Sequence, residues 1–250
     1  MSCLPKRRRP VRRRRESPPM HTANTILLLT VLLLTGCANS QGFDRTAMGE
    51  RLHLVPTATP ETQPRSDAST RPSPPFRLGV FFAKHDVPDT PSIRKVEWFS
   101  ADRDDLLREL TPLQDEHLLS DTFVLTDVRL HGDAIKEIRQ AGARFGADMI
   151  LIVDGVAGID RYNNRFAWLY PTIIGAYLAP GTESDALVMA TAHLFAVGSD
   201  WHTPIQTAEG HTKVKAAMAF VEDAVALHKA KQGAIHLLAE HISERLRSLK

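Results

Sequence analysis

Apolar residues along the chain form short runs of the length that is typical of β-strands. Phe76–Phe82 is one such run, and residues 149–153 are five consecutive apolar residues bounded by turn residues. The second run predicts a strand buried on both faces. Residues 187–197 predict a further long strand, and residues 122–130 alternate and carry β-branched side chains, which predicts another. The pattern therefore predicts a β-sheet.

Helical spacing occurs between and after these runs. Ile135, Ile138, Gly142 and Phe145 recur at intervals of three and four, which predicts a helix with one apolar face and Asp133 as its N-cap. Because this helix separates two predicted strands, we expect a βαβ unit with a right-handed crossover. Helices are also predicted over residues 102–110, capped by Ser100, and over residues 213–249, with a break at Gly233. Apolar positions assigned to this last region include Met218, Val221, Val225, Leu237, Leu238, Ile242 and Leu246.

Residues 166–178 fit two patterns. Their large apolar side chains follow a helical stripe, but Pro171 in the middle would cost a helix roughly 3 kcal/mol. We therefore predict a strand, on which Trp168, Tyr170 and Tyr177 are candidates for a partner or self-association surface. Tyrosine and tryptophan suit this role because they combine a large area with a polar tip. The alternative is that both strand faces are ordinary core.

These elements predict an α/β fold with a mixed sheet of about five to six strands and helices packed on it. We assign a single α/β domain to residues 76–250. Residues 38–75 are rich in Pro, Ser and Thr and contain few large apolar side chains, so we expect a disordered, semi-stiff tether that holds the domain away from the lipid surface.

An apolar run at residues 26–34 decides where the protein is expected to reside. It is too short to span a bilayer and has the length of the apolar core of a secretory signal. Leu34, Thr35, Gly36 and Cys37 resemble the lipobox of bacterial lipoproteins, which implies cleavage after residue 36 and acylation of Cys37. Each buried CH₂ contributes roughly 0.8 kcal/mol, so several acyl chains anchor durably. Ala38 after the cysteine implies the outer membrane by the same resemblance.

Charge is distributed unevenly along the chain. Residues 1–36 carry eight cations and one anion, or +7, so that the remainder of a chain of net +2 carries −5. Because the basic cluster precedes an export signal, we expect no nucleic-acid partner. The signal peptide can begin at Met1 or at Met20, and both readings stay open. Cys3 and Cys37 are the only cysteines, so an internal disulfide in the processed protein is excluded.

Candidate chemistry is sparse. His236 and His241 lie five positions apart, whereas zinc helices place histidines four apart, and His193 within an apolar run is interpreted as a core histidine. Acidic residues at positions 102, 104 and 105 are interpreted as opposing the dipole of their helix. Ser92 and Lys95 match a Ser-x-x-Lys pair without its partner motifs. We expect no metal, no cofactor and no catalytic residue.

Two further resemblances concern the domain. Residues 134–155, AIKEIRQAGARFGADMILIVDG, are similar to the helix-strand signature of periplasmic domains of the TolB N-terminal and CsgG type. Residues 170–197, YPTIIGAYLAPGTESDALVMATAHLFAV, resemble the central block of the rhombotarget (rhombotail) lipoproteins, which implies an envelope lipoprotein without an assigned activity. The chain ends in SERLRSLK rather than in the glycine-rich tail and membrane helix of rhomboid-type sorting substrates.

The sequence therefore predicts a membrane-anchored, periplasm-facing envelope lipoprotein whose domain binds an unidentified envelope protein or itself. The alternative is a cell-wall-acting hydrolase or transferase with a site that the sequence does not reveal. An exposed, partly apolar surface would favour the first. A deep polar pocket with a perturbed pair of titratable groups would favour the second.

Overall fold

The computed structural model describes residues 40–52, 72–83, 90, 93–126 and 134–250. Within this part of the chain it contains a mixed six-stranded sheet with helices packed on it, as the sequence predicts. The strands are β1 (Phe76–Phe82), β2 (Ile93–Lys95), β3 (Leu119–Val124), β4 (Met149–Asn163), β5 (Thr182–Ala196) and β6 (His202–Ala216). The helices are α1 (Arg45–Glu50), α2 (Ser100–Leu110), α3 (Pro112–Asp115), α4 (Ala134–Arg144), α5 (Ile173–Leu178) and α6 (Asp223–Arg247). Short 3₁₀ helices lie at Arg165–Leu169 and Met218–Phe220.

The sheet has the order β3-β1-β4-β5-β6. β1 runs parallel to β3 and to the first part of β4, so that the predicted strand-helix-strand unit spans β3, α4 and β4 with β1 between its strands. β4, β5 and β6 are each 15 residues long and form an antiparallel meander. β2 pairs with β4 beyond the point where β1 ends.

One face of the sheet is covered by α2 and α6. Alternate residues of β4, such as Met149, Leu151 and Val153, point to this face and pack with Leu238 and Ile242 of α6. Burial of this kind is worth about 25 cal/mol per Å² of apolar area, and among the described residues this is the largest of three buried apolar clusters.

The opposite face is covered in two places. Ile150 and Ile152 of β4 pack with Ile138 of α4. This helix ends at Arg144, and Gly146 two residues later has a φ of +71°, a left-handed conformation that glycine adopts without strain. Further along the sheet, Met48 and Leu52 cover the second part of β4 and β5, and both are at most 3% exposed.

That second contact corrects the tether prediction for residues 40–52. Asp44 caps α1 by accepting a hydrogen bond from the Ala47 backbone N–H at 2.9 Å, and the helix buries Met48 on the sheet. The prediction is wrong here because a few apolar side chains in a polar segment suffice when the sheet leaves an uncovered apolar area. Residues 53–71 lie outside the described residues.

Two other secondary-structure predictions are wrong, and the N-cap of α2 is Phe99 rather than Ser100. Residues 166–178 form a 3₁₀ helix and α5 rather than a strand, because Pro171 falls between the two helices, where it breaks no hydrogen bond. The C-terminal helix begins only at Asp223, since β6 extends to Ala216, and it continues without a break through Gly233. Among the described residues, no helix has both the length and the apolar character needed to cross a bilayer.

Candidate functional site

Three strand ends meet at one end of the sheet. The register places Asn163, where β4 ends, beside Thr182, where β5 begins, and Thr182 beside Ala216, where β6 ends. The segments that follow β4 and β6 carry exposed apolar side chains. We call this surface the apolar tip, and its members are Phe166, Trp168, Ile173, Ile174, Tyr177, Leu178, Met218 and Phe220.

The apolar tip is strongly exposed and spans two segments of the chain. Ile173, Leu178 and Ile174 are 81%, 76% and 72% exposed. Tyr177 of α5 and Phe220 of the second 3₁₀ helix meet edge to face with ring centroids 6.1 Å apart. A soluble surface rarely collects large apolar side chains in this way unless they bind something.

Specific hydrogen bonds hold the backbone of the apolar tip. Asn164 accepts a hydrogen bond from the Phe166 N–H at 2.9 Å and donates one to the Pro180 carbonyl at 2.8 Å. Thr172 caps α5 by accepting a hydrogen bond from the Gly175 N–H at 2.9 Å. The Tyr170 hydroxyl lies 2.7 Å from Oγ1 of Thr182. The apolar side chains are therefore presented by an ordered scaffold.

The structure separates the three aromatic residues predicted to form a partner surface. Trp168 is 70% exposed and Tyr177 is 55% exposed, and both belong to the apolar tip. Tyr170 is half-buried and holds the scaffold through Thr182. Sequence reasoning missed Phe220 and Leu178 and placed Met218 in a helix face, although Thr172 before an apolar run is a recognisable N-cap signal.

A charged cluster lies beside the apolar tip on the face of the sheet that α1 covers in part. Glu183 is within 2.6 Å of the Lys213 ammonium and 3.0 Å of the Lys215 ammonium. The Tyr162 hydroxyl lies 2.9 Å from Glu183 and 3.2 Å from Asp185, and it accepts a hydrogen bond from Lys213. Because this hydroxyl has one proton, it can donate to only one of the two carboxylates at a time.

These contacts keep the cluster charged. The hydrogen bond from Lys213 lowers the pKa of Glu183 from 4.5 to about 2, with Asn164 and Lys215 adding to the effect against the cost of burial. The same hydrogen bond raises the pKa of Lys213. Burial raises the pKa of Tyr162, against the hydrogen bond from Lys213. The pKa of Glu183 is lowered and that of Lys213 is raised, so both pKa values move away from neutral pH. Acid–base catalysis needs a pKa near the working pH.

A buried ion pair lies on the opposite face, between α2 and α6. Lys231 donates to Asp102 at 2.5 Å and to the Glu97 carbonyl at 2.9 Å, and its ammonium lies 4.5 Å from the centroid of the Phe99 ring. Asp102 also accepts from the Phe99 N–H at 2.7 Å. A cavity of about 360 Å³ opens beside the pair. These contacts join α2 to α6 through a buried ion pair. Asp102 therefore does more than oppose the dipole of its own helix, which is the role that the sequence predicted.

The remaining candidates form no centre. Among the described residues, no group of three or more His, Cys, Asp or Glu side chains could hold a metal ion. His236 lies near Glu109 and Glu240, while Nδ1 of His241 lies 3.1 Å from the Gln206 carbonyl oxygen. His193 is half-buried beside the Phe195 ring. Ser92 and the lipobox residues Leu34, Thr35, Gly36 and Cys37 lie outside the described residues.

Comparison with known proteins adds little. No family model and no curated protein matches the chain. The hypothetical protein CT253 from Chlamydia trachomatis is similar over 69% of this chain and 94% of its own, with 6% identity and a TM-score of 0.28. A Helicobacter pylori protein described as a neuraminyllactose-binding hemagglutinin homologue is similar over 68% of this chain and 85% of its own, with 14% identity and a TM-score of 0.27. At these scores the likenesses carry no argument about this chain.

Proposed function

We propose that this protein is a bacterial envelope lipoprotein, acylated at Cys37 and held at the periplasmic side of the outer membrane, whose α/β domain is a non-catalytic binding module. The apolar tip carries the proposal, because an ordered scaffold that exposes Ile173, Ile174 and Leu178 is suited to binding. The resemblance of residues 34–37 to a lipobox supports the anchor. The resemblance to rhombotarget lipoproteins supports the same assignment.

The charged cluster favours this function over a hydrolase. A general acid or base works best with a pKa near the working pH. The pKa of Glu183 is lowered to about 2 and that of Lys213 is raised, so the pair is fixed as carboxylate and ammonium. Such a pair stabilises the sheet and exchanges no proton at neutral pH.

Acylation is tested by expressing the chain with a clickable fatty acid and separating membranes from soluble protein. Wild type should incorporate label and sediment with membranes, whereas Cys37→Ala should do neither. Cys3→Ala is the matched control, because Cys3 precedes the cleavage site, and this variant should behave as wild type. Label retained by Cys37→Ala would exclude the proposed anchor.

A further inference from the structure

We propose that the apolar tip enters the interface of the lipid bilayer to which Cys37 is anchored, so that the domain stands on the membrane with the β4–β5–β6 end facing the lipid. This inference rests on the proposed acylation of Cys37. It replaces the expected picture of a domain held away from the membrane.

The first observation is where the N-terminal segment is attached. Ser40 donates a hydrogen bond to Oδ2 of Asp160 at 2.6 Å, and the backbone N–H of Gly42 donates to the same oxygen at 3.0 Å. Asp160 lies three residues before Asn163, where β4 ends at the apolar tip. Since a strand rises about 3.3 Å per residue, Asp160 is about 10 Å from that end.

The second observation is the direction of the docked segment. After Ser40, the Phe43 ring lies edge to face with the His211 ring, with the ring centroids 6.1 Å apart. Nε of Arg45 then lies 2.9 Å from Oε2 of Glu209. These positions on β6 lie progressively further from the end of that strand at Ala216. Met48 is buried against Leu187 and Met189, the neighbours of His211 and Glu209 on β5. The segment therefore enters the sheet from the end that carries the apolar tip.

The third observation is the length of the connection to the anchor. Only Ala38 and Asn39 separate Cys37 from Ser40. Consecutive Cα atoms are 3.8 Å apart, so the Cα atoms of Cys37 and Ser40 are separated by at most about 11 Å. An acylated Cys37 thus keeps this end of the domain close to the bilayer surface, and the longer polar stretch at residues 53–75 comes after the docked segment and cannot lengthen the connection.

The composition of the apolar tip suits a lipid interface. Trp168 and Tyr177 are residue types enriched at membrane–water interfaces, and the aliphatic side chains beside them can enter the acyl boundary. The Arg165 guanidinium lies 5.0 Å from the centroid of the Phe166 ring, and the Lys215 side chain is 58% exposed. Arg165 is placed at this end of the sheet, where an anionic headgroup would meet it, whereas the Lys215 ammonium already pairs with Glu183.

The anchor also explains why lipid is favoured over a second copy or another protein. Tethering two interacting surfaces makes their contact intramolecular, so a weak apolar surface is occupied at a high effective concentration. The lipid surface lies within reach of the apolar tip in every anchored molecule, whereas a second copy or another protein has to be met by diffusion.

The inference is tested on the acylated protein reconstituted into vesicles of phosphatidylethanolamine and phosphatidylglycerol. Because Cys37 is blocked by acylation, Ile174→Cys supplies a single free thiol for a polarity-sensitive fluorophore. Ala143→Cys, an exposed position of α4 near the opposite end of β4, is the matched control. We expect a blue-shifted emission that brominated lipids quench at position 174, and neither effect at position 143.

Three results would overturn the inference. If mass spectrometry finds Cys37 unacylated, the proposed anchor fails and the inference falls with it. If Cys37 is acylated and the probe at 174 still reports water, the orientation alone is wrong. A blue shift that depends on protein concentration and that brominated lipids do not quench assigns the apolar tip to a second copy instead.

Discussion

Gly210 of β6 lies directly against the backbone of Ala230 in α6, so closely that a Cβ on the glycine would meet the Ala230 carbonyl oxygen at 1.9 Å and the Ala234 nitrogen at 2.5 Å. Since both obstacles are backbone atoms, the helix itself would have to shift. We expect Gly210→Ala to lower the free energy of unfolding by about 3 kcal/mol, measured by urea denaturation of residues 38–250. Gly198→Ala, with nothing within 4 Å, is the control and should change it by less than about 0.5 kcal/mol. Equal effects would show that α6 does not pack this closely.

The Asp102–Lys231 pair should be costly to break from one side. Both side chains are at most 5% exposed, so Asp102→Asn or Lys231→Met leaves a buried group without its partner and should cost about 3–5 kcal/mol in urea denaturation. The double variant should cost less than the sum of the two. Asp105→Asn, which breaks the exposed Arg108–Asp105 pair, should cost at most about 1 kcal/mol. If the two single substitutions lower the free energy of unfolding additively in the double variant, Asp102 and Lys231 do not interact.

Residues 40–52 pack on the sheet although their composition is that of a linker, and they should therefore contribute to the free energy of unfolding. Met48 is 1% exposed against β4 and β5, so Met48→Ala should lower the free energy of unfolding by about 2–5 kcal/mol. Glu50→Ala, on the exposed side of the same helix, should change it by less than about 0.5 kcal/mol. A neutral Met48→Ala would mean that the segment does not dock in solution and would remove the basis for the membrane orientation.

The free energy of unfolding should fall at acidic pH because of Glu183. Its folded-state pKa is about 2 and its ordinary value is 4.5, so its contribution is complete above pH 4.5 and is lost as the pH falls towards 2. The side chain is 8% exposed, and the contribution is on the order of 2–3 kcal/mol. Glu183→Gln should therefore be destabilised at pH 7 and converge with wild type near pH 2. Unfolding free energies that stay parallel from pH 7 to 2 would rule out this ion pair.

Trp168 and Tyr170 should respond differently to substitution, although they are two residues apart. Trp168→Ala should leave the free energy of unfolding within about 0.5 kcal/mol of wild type, because its side chain is 70% exposed. Tyr170→Phe should cost about 1 kcal/mol through loss of the bond to Thr182. If Trp168→Ala unfolds the domain, then Trp168 is core and the apolar tip is smaller than described.

The sequence by itself determined the elements whose signals are local. The apolar run at residues 149–153, bounded by turn residues, predicted a buried strand and forms the first part of β4. An apolar face spaced by three and four predicted α4. Gly146 follows the end of that helix at Arg144, where a glycine readily takes the left-handed backbone conformation that closes a helix. These features led to a mixed sheet with packed helices, which the structure confirms.

Tertiary structure decided the rest, because burial depends on what lies opposite a residue. Nothing in the run around Ile173 says whether another element covers it, and in the fold none of the described elements does. Asp102 shows the same limit, since its partner Lys231 is 129 positions away. Docking of residues 40–52 required a bare apolar area on β4 and β5, which no local pattern encodes. Pro171 was compatible with helices on either side of it, and only the path from β4 to β5 determined that they form.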